Sequence, residues 1–269
     1  KISHPTYCSG PFDVIVHKLS DVIVEAEHDS QSQHLLANFQ SYVSTHPSTI
    51  LVDPLPAMSQ LLDRFTSYRI MNRLICSPPY LEIHSVDDLK RIKLVCKTRV
   101  AHGSLSHEMS LIFSADSLAD IHPPCVLQSF VNHGAVLHKI FVVGDRHYCV
   151  ERPSLKNFPP GPCDRKTIFF NSHHVSKPEC SSDLTAMDEQ MPHLLPPSSE
   201  AVAALVRELR VQLGMALFGV DVIINIHTHT LTVIDINIFP GYEGVPQFFP
   251  SLLAYIESLL DTNSSADSS

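Results

Sequence analysis

FGVDVIINI at 218–226 and LTVIDINIF at 231–239 are two apolar, β-branched runs separated by a short polar stretch, His227-Thr228-His229-Thr230. That pattern predicts a β-hairpin. The runs also carry Asp221, Asp235 and Asn237 where a buried strand should carry hydrocarbon. Side chains alternate along a strand, so Asp235 and Asn237 share one face. A three-residue turn at 227–229 sets Asp221 directly opposite Asp235, whereas a four-residue turn sends the two acids to opposite faces. In the first register two carboxylates stand about 5 Å apart inside an apolar hairpin, which is unfavourable unless a cation lies between them. Two carboxylates and an amide oxygen suit Mg²⁺, with phosphate oxygens and water completing its shell. The alternative is a pair of core carboxylates, each satisfied by its own hydrogen bonds.

Upstream of the hairpin, LVCKTRV (94–100), VLQSF (126–130), VLHKIFVVG (136–144) and HYCVERP (147–153) read as further strands, with a turn at Gly144-Asp145-Arg146. Val202, Leu205, Val206, Leu209 and Leu213 recur at helical spacing and predict a helix over 199–213, opened by Ser198-Ser199 and Glu200. Closer to the start, DVIV (13–16), a helical pattern over 29–43 and ILV (50–52) make a βαβ-like unit with a small parallel sheet. Helices are also expected over 57–72 and 248–260, a loop at 159–162, and a polar tail at the end.

The chain has 269 residues, 44% hydrophobic and 17% charged, which describes an ordinary globular protein of one large or two modest domains. Its net charge is −9 and it has no Lys/Arg block, which argues against nucleic acid or an anionic membrane as partner. No apolar run is long enough to span a bilayer. Seven scattered cysteines without a C-x-x-C pair point to reduced thiols in the cytosol. His227-Thr228-His229 reads as a turn rather than a zinc site.

Against this acidic background Lys97, Arg99, Lys139, Arg152 and Lys156 are five cations in or beside strand segments. Clustered, they make a local positive well for an anionic ligand. Lys97 and Arg99 fall on one face of their strand and need partners if buried, phosphate being one candidate; a solvated edge strand is the alternative. G-x-x-x-x-G-K-[ST], G-x-G-x-x-G and the protein-kinase set are all absent, so any nucleotide must be held by sheets and side-chain cations.

CKTRVAHGSLSHEM (96–109), QSFVNHGAVLHKIFVVG (128–144) with ERPSLKNF (151–158), and LFGVDVIIN (217–225) with VIDINIFPGYEG (233–244) together resemble the inositol 1,3,4-trisphosphate 5/6-kinase family. DVIVHKLSD (13–21) and FFNSHHVSKPE (169–179) extend the likeness over nearly the whole chain. The resemblance implies an α/β ATP-grasp fold, with 1–56 a truncated N-terminal subdomain, 57–262 the ATP-grasp region and 263–269 a disordered tail. It implies a monomeric cytoplasmic kinase that uses Mg²⁺, expected as two ions, to move the ATP γ-phosphoryl group onto a hydroxyl of an inositol polyphosphate. By the same resemblance Arg64, Lys97, Gln128, Lys139, Ser154, Ser172 and Ser176 hold ATP. Lys18, His107, Lys139 and Asn237 grip the inositol phosphate, and Asp221, Asp235 and Asn237 take the metal. Lys97, Lys139 and Asp235 are the expected catalytic residues; no residue stands out as general base. The chain departs from the family pattern by lacking a first strand and helix with a further substrate-binding Lys. It is also shorter around 68–78 and 85–94, has Ile238 in place of a small residue, and has His138 in place of an aromatic. Those departures leave open a catalytically inactive paralogue that binds nucleotide or a protein partner. An ATP-grasp carboxylate–amine ligase is a third reading, disfavoured by SHEM and RPSLKNF.

Overall fold

Strand β1 (Val14–Val16) pairs in parallel with β2 (Ile50–Val52), and the chain between them forms helices α1 (Ser20–Glu25) and α2 (Ser30–Thr45). This is the expected βαβ-like unit, seen in a computed structural model that describes residues 11–73, 77–84, 94–101, 105–114, 116–159, 165–187 and 194–266. Asp29 is the N-cap of α2, its carboxylate accepting the Ser32 N–H at 2.7 Å. The joint to the rest of the molecule is Asp53, which has a left-handed φ of 63°. Its carboxylate accepts the Ala216 N–H at 2.6 Å and the Leu217 N–H at 3.0 Å. Burial outweighs those two hydrogen bonds and pushes the Asp53 carboxyl up to about 6.

The single helix expected over 57–72 is two, α3 (Leu55–Leu62) and α4 (Arg64–Arg73). Asp63 between them is extended and bridges Val100. Around it Arg64 N–H donates to Arg99 O at 2.8 Å and Ala101 N–H to Leu62 O at 3.0 Å. The Asp63 carboxylate caps the Phe65 N–H at 2.9 Å and pairs with Arg99 Nη2 at 2.7 Å. These tertiary bonds outweigh the helical spacing of the apolar residues, which continues undisturbed across the break.

Strands β3 (Tyr80–Ile83), β4 (Leu94–Thr98), β5 (Glu108–Ile112), β6 (Cys125–Ser129) and β9 (Ile168–Asn171) form an antiparallel sheet in the order β3-β6-β4-β5-β9. Strands β7 (Val136–Val143), β8 (Arg146–Pro153), β10 (Leu217–Ile224) and β11 (Leu231–Ile238) form a second, in the order β11-β10-β7-β8. The segments β3, β5, β9 and α1 are too short or too mixed in polarity to carry a readable period. Gly144 makes the β7–β8 turn at φ 58°, where an added Cβ would stand 2.3 Å from the Tyr255 ring.

One face of the second sheet packs on α3, α4 and α6 (Ser199–Leu213), burying Met58, Leu61, Phe65, Leu209, Phe218, Val220 and Val222 in one core. Ile238, the departure from the family pattern, is buried in that core. The other face meets β1, β2 and α7 (Phe248–Ala266) through Val52, Phe141, Leu217 and Tyr242. Helix α7 runs past Leu260, so 263–266 of the expected tail continue it, and 267–269 lie outside the described residues. Most of the 85–94 segment, part of 68–78 and part of the 159–162 loop lie outside them too.

Candidate active site

The hairpin of β10 and β11 does place Asp221 directly opposite Asp235, by a route that turn length did not anticipate. Nearest the turn Ile224 pairs with Leu231, Ile223 with Thr232 and Val222 with Val233; the register then shifts between Asp221 and Val222. Carried onward unshifted, the first register would set Asp221 opposite Ile234. A β-bulge absorbs Ile234 instead and returns Asp235 to the face of Asp221. On the other side of β10, Asp221 is in register with Lys139 of β7. Asp235, Asp221 and Lys139 therefore stand in one row across three adjacent strands, with Asn237 one step along the same face.

The row is charge-paired. Lys139 Nζ lies 3.3 Å from both Asp221 carboxylate oxygens. Lys97 reaches over from the other sheet to within 3.8 Å of Asp235 Oδ2 and donates to the Ile234 carbonyl at 2.9 Å. Strand β4 lies between β6 and β5, so the solvated-edge reading of Lys97 falls; the residue is 4% exposed. Burial pulls the Lys97 amine below its ordinary value, partly offset by Asp235. Burial raises the Asp235 carboxyl, but Lys97, Arg64 and Lys139 together bring it below the usual carboxylate range. Among the described residues no three His, Cys, Asp or Glu side chains converge on a metal position. The residues that could hold a divalent ion are instead two carboxylates on facing strands and the Asn237 amide, hard oxygens of the kind Mg²⁺ prefers when phosphates supply the remainder.

The row lies where two lobes of one cleft meet. The inner lobe is lined by Arg64, Lys97, Gln128, Lys139, Ser154, Ser172 and Ser176, all seven residues expected to hold ATP. Its walls are otherwise apolar, among them Val95, Met109, Phe130, Leu137 and Phe170. The outer lobe, about 570 Å³, is lined by Lys18, His107, Lys139 and Asn237, the four expected substrate contacts. Arg152, His173 and Lys177 join them there; Lys177 and His173 were not singled out from sequence.

Local geometry refines several roles. The Arg64 guanidinium donates to the carbonyls of Thr98, Val100 and Ser106 at 2.8, 3.2 and 2.9 Å, so it braces the loop beyond β4 while lending charge to Asp235. His133 holds the Val131 carbonyl through Nδ1 and lies 2.7 Å from Ser154 Oγ through Nε2. Burial pushes His133 down to about 4, so the ring is neutral and Nε2 accepts from the Ser154 hydroxyl. His107 lies against His173 at 5.5 Å and its Nδ1 is 3.4 Å from Ser172 Oγ. Burial first, then His173, lowers its pKa. Lys18 sits 5.7 Å over the Phe239 ring. Phe239 and Tyr242, at φ 33° and 52°, shape the PGYEG loop bordering the outer lobe. Tyr242 anchors it by donating to the Val142 carbonyl at 2.7 Å.

Two of the five cations do not join the well. Arg99 lies beyond the end of β4 and pairs with Asp63, over the Phe65 ring. Lys156 pairs with Asp183 at 3.0 Å. Strand alternation misplaced Arg99 because the strand ends at Thr98. His102, Gly103 and Ser104 of the loop between β4 and β5 lie outside the described residues.

Two sheets with a cleft between them, lined by cations and apolar side chains, define the class, an ATP-grasp protein. Solved structures agree on the fold. The chain superposes on the ATP-grasp ligase PsnB with its minimal precursor at TM-score 0.54 and 12% identity, covering 84% of this chain and 70% of that one. The macrocyclase MdnC from Microcystis aeruginosa gives TM-score 0.55 at 16% identity, over 87% and 72%. Residues 71–258 match the inositol 1,3,4-trisphosphate 5/6-kinase ATP-grasp domain, and 2–58 match the pre-ATP-grasp domain of the same family. The chain belongs to the inositol 1,3,4-trisphosphate 5/6-kinase family. It is 49% identical to the inositol-tetrakisphosphate 1-kinase of Danio rerio and 50% identical to that of Xenopus laevis, each over 96% of this chain and 70% of the relative. It is 32% identical to inositol-tetrakisphosphate 1-kinase 3 of Oryza sativa subsp. indica, over 95% and 72%.

Proposed function

We propose that this chain transfers the γ-phosphoryl group of ATP to a ring hydroxyl of an inositol polyphosphate. The observation that carries the reading is the row Asp235–Asp221–Lys139, faced by Lys97, at the junction of an apolar-walled lobe and a cationic one. The inner lobe suits a flat base and its ribose, and the outer lobe suits a small polyanion. Both substrates then present their reacting oxygens to the row. Asp221, Asp235 and Asn237 would hold Mg²⁺, which when bound neutralises charge on the transferring phosphoryl group.

Lys97 and Lys139 contribute fixed positive charge from opposite sides of the transfer site, where a low-dielectric surrounding makes it most effective. Lys18, His107 and Arg152 orient the acceptor by its ring phosphates, so that one hydroxyl lies in line with the γ-phosphorus. Burial keeps His107 neutral near pH 7, which leaves one ring nitrogen free to accept a proton or hydrogen bond. The complete set of paired site residues gives the inactive-paralogue reading no support.

The test is incubation of the purified chain with Mg-ATP and inositol 1,3,4-trisphosphate, with the products resolved chromatographically. Tetrakisphosphate is the expected product. Tight ATP binding with no product from any inositol phosphate would overturn the proposal.

A further inference from the structure

The bulge leaves Ile234 without a partner residue on β10, and β11 is the edge strand of its sheet. Lys97 Nζ donates to the Ile234 carbonyl oxygen at 2.9 Å, and two slacker donors stand beside it: Gln128 Nε2 at 3.4 Å and, at 3.3 Å, the Tyr68 hydroxyl, whose single proton is shared with Gln128 Oε1. A carbonyl oxygen has two lone pairs, so it has one donor more than it can serve. The two longer contacts belong to a linked pair, because the Tyr68 hydroxyl also reaches Gln128 Oε1 at 3.0 Å. The Tyr68 ring lies 5.3 Å from Lys97 Nζ, an attractive placement for an ammonium. Tyr68 is 1% exposed and Gln128 3%, so neither has water as an alternative partner.

We propose that Tyr68 is a positioning residue for Lys97: with Gln128 it keeps the Ile234 carbonyl hydrogen-bonded when Lys97 leaves that oxygen for the phosphates of the nucleotide. The inference rests on the reading of Lys97 as a phosphate contact. The physical need is specific. Lys97 in the free chain satisfies a buried carbonyl, and moving it would orphan that carbonyl and oppose nucleotide binding. As Lys97 departs, the Tyr68 proton turns from Gln128 Oε1 to the carbonyl and the Gln128 amide closes on it, so the Ile234 oxygen keeps its hydrogen bonds. The ring face also offers the ammonium a partner along the way.

Calorimetry on four chains tests this: wild type, Tyr68→Phe, Lys97→Met and the double variant. Each is titrated with Mg-AMP-PNP and, separately, with adenosine. Tyr68→Phe should weaken AMP-PNP binding about tenfold, the worth of one lost hydrogen bond to a buried carbonyl, and leave adenosine binding unchanged. In the Lys97→Met background the same change should have no further effect on AMP-PNP. Equal losses for both ligands, an unchanged AMP-PNP affinity, or a full loss persisting without Lys97 each overturns the proposal. If Lys97→Met alone leaves AMP-PNP affinity intact, the assignment of Lys97 fails first, and the inference fails with it. Should Tyr68→Phe not fold, the wild-type chain decides. Its Gln128 side-chain amide protons should stay protected from solvent exchange when AMP-PNP is added, and their exposure overturns the idea.

Discussion

The inner and outer lobes of the cleft are built on opposite plans. In the inner lobe nearly every polar group has an assigned partner: Lys97 on Ile234 and Asp235, Arg64 on three carbonyls, Ser154 on His133, Tyr68 on Gln128. In the outer lobe the basic side chains line a larger space, Lys139 held by Asp221 and Arg152 by Glu243. Lys18 has an aromatic face beneath it, and His173 has the His107 ring beside it. The contrast teaches how one cleft serves two ligands. The nucleotide side is preorganised, and the exchange proposed for it is confined to Lys97 moving from the Ile234 carbonyl to the phosphates. The acceptor side adds Lys18 and Lys177 to the paired Lys139 and Arg152, facing a polyanion that brings its own negative charges.

Substitutions should separate the two plans by which kinetic constant moves. Asp235→Asn removes a carboxylate from the row and leaves Lys97 buried without a full counter-charge. Turnover should fall by about 10³-fold while the fold survives, as read by single-turnover kinetics and circular dichroism. Equal activity would break the comparison, because the row would then be only structural. Lys97→Met should cost about 10²-fold in kcat/KM for ATP, with the KM for the inositol phosphate little changed.

Asp53 tests the joint that seats the Lys18-bearing unit on β10. Its folded-state pKa of about 6 lies above the ordinary 3.8. A raised carboxyl pKa means that the folded chain holds the proton more tightly. Its stability contribution is therefore present below about pH 4 and lost as pH rises through about 6. Denaturant melts at pH 4 and pH 7 should show wild type losing about 2 kcal/mol more than Asp53→Asn over that interval. The variant should also carry a constant deficit, since an Asn oxygen can serve only one of the two N–H groups. Identical pH slopes would show that the carboxyl does not titrate in the folded joint.

Lys177→Ala should have the smallest effect, a rise of several-fold in KM for the inositol phosphate, steeper at low salt, with ATP kinetics unchanged. A loss in ATP affinity instead would erase the division between the lobes.

Much of this was legible in the residues. Period-two spacing put Asp235 and Asn237 on one face, and long strand motifs marked β6, β7, β8, β10 and β11. The one stretch read as a single helix hid Asp63, because apolar spacing is blind to a backbone bridge formed with Val100. Tyr68 escaped notice because a tyrosine within an apolar helix reads as core, and nothing local says that its hydroxyl meets a strand carbonyl far along the chain. His173 and Lys177 sat in a motif familiar by resemblance, without a period or charge pattern to mark them.

Alternation along a strand is a local property of the backbone, so the sequence alone determined which acids could share a face and which segments could pair. Register across strands, the bulge at Ile234, and the choice of Lys97 and Lys139 over Arg99 and Lys156 were decided only in the tertiary structure. Those features depend on bonds between residues distant in the chain, where burial makes each unpaired carbonyl or charge costly enough to select one arrangement.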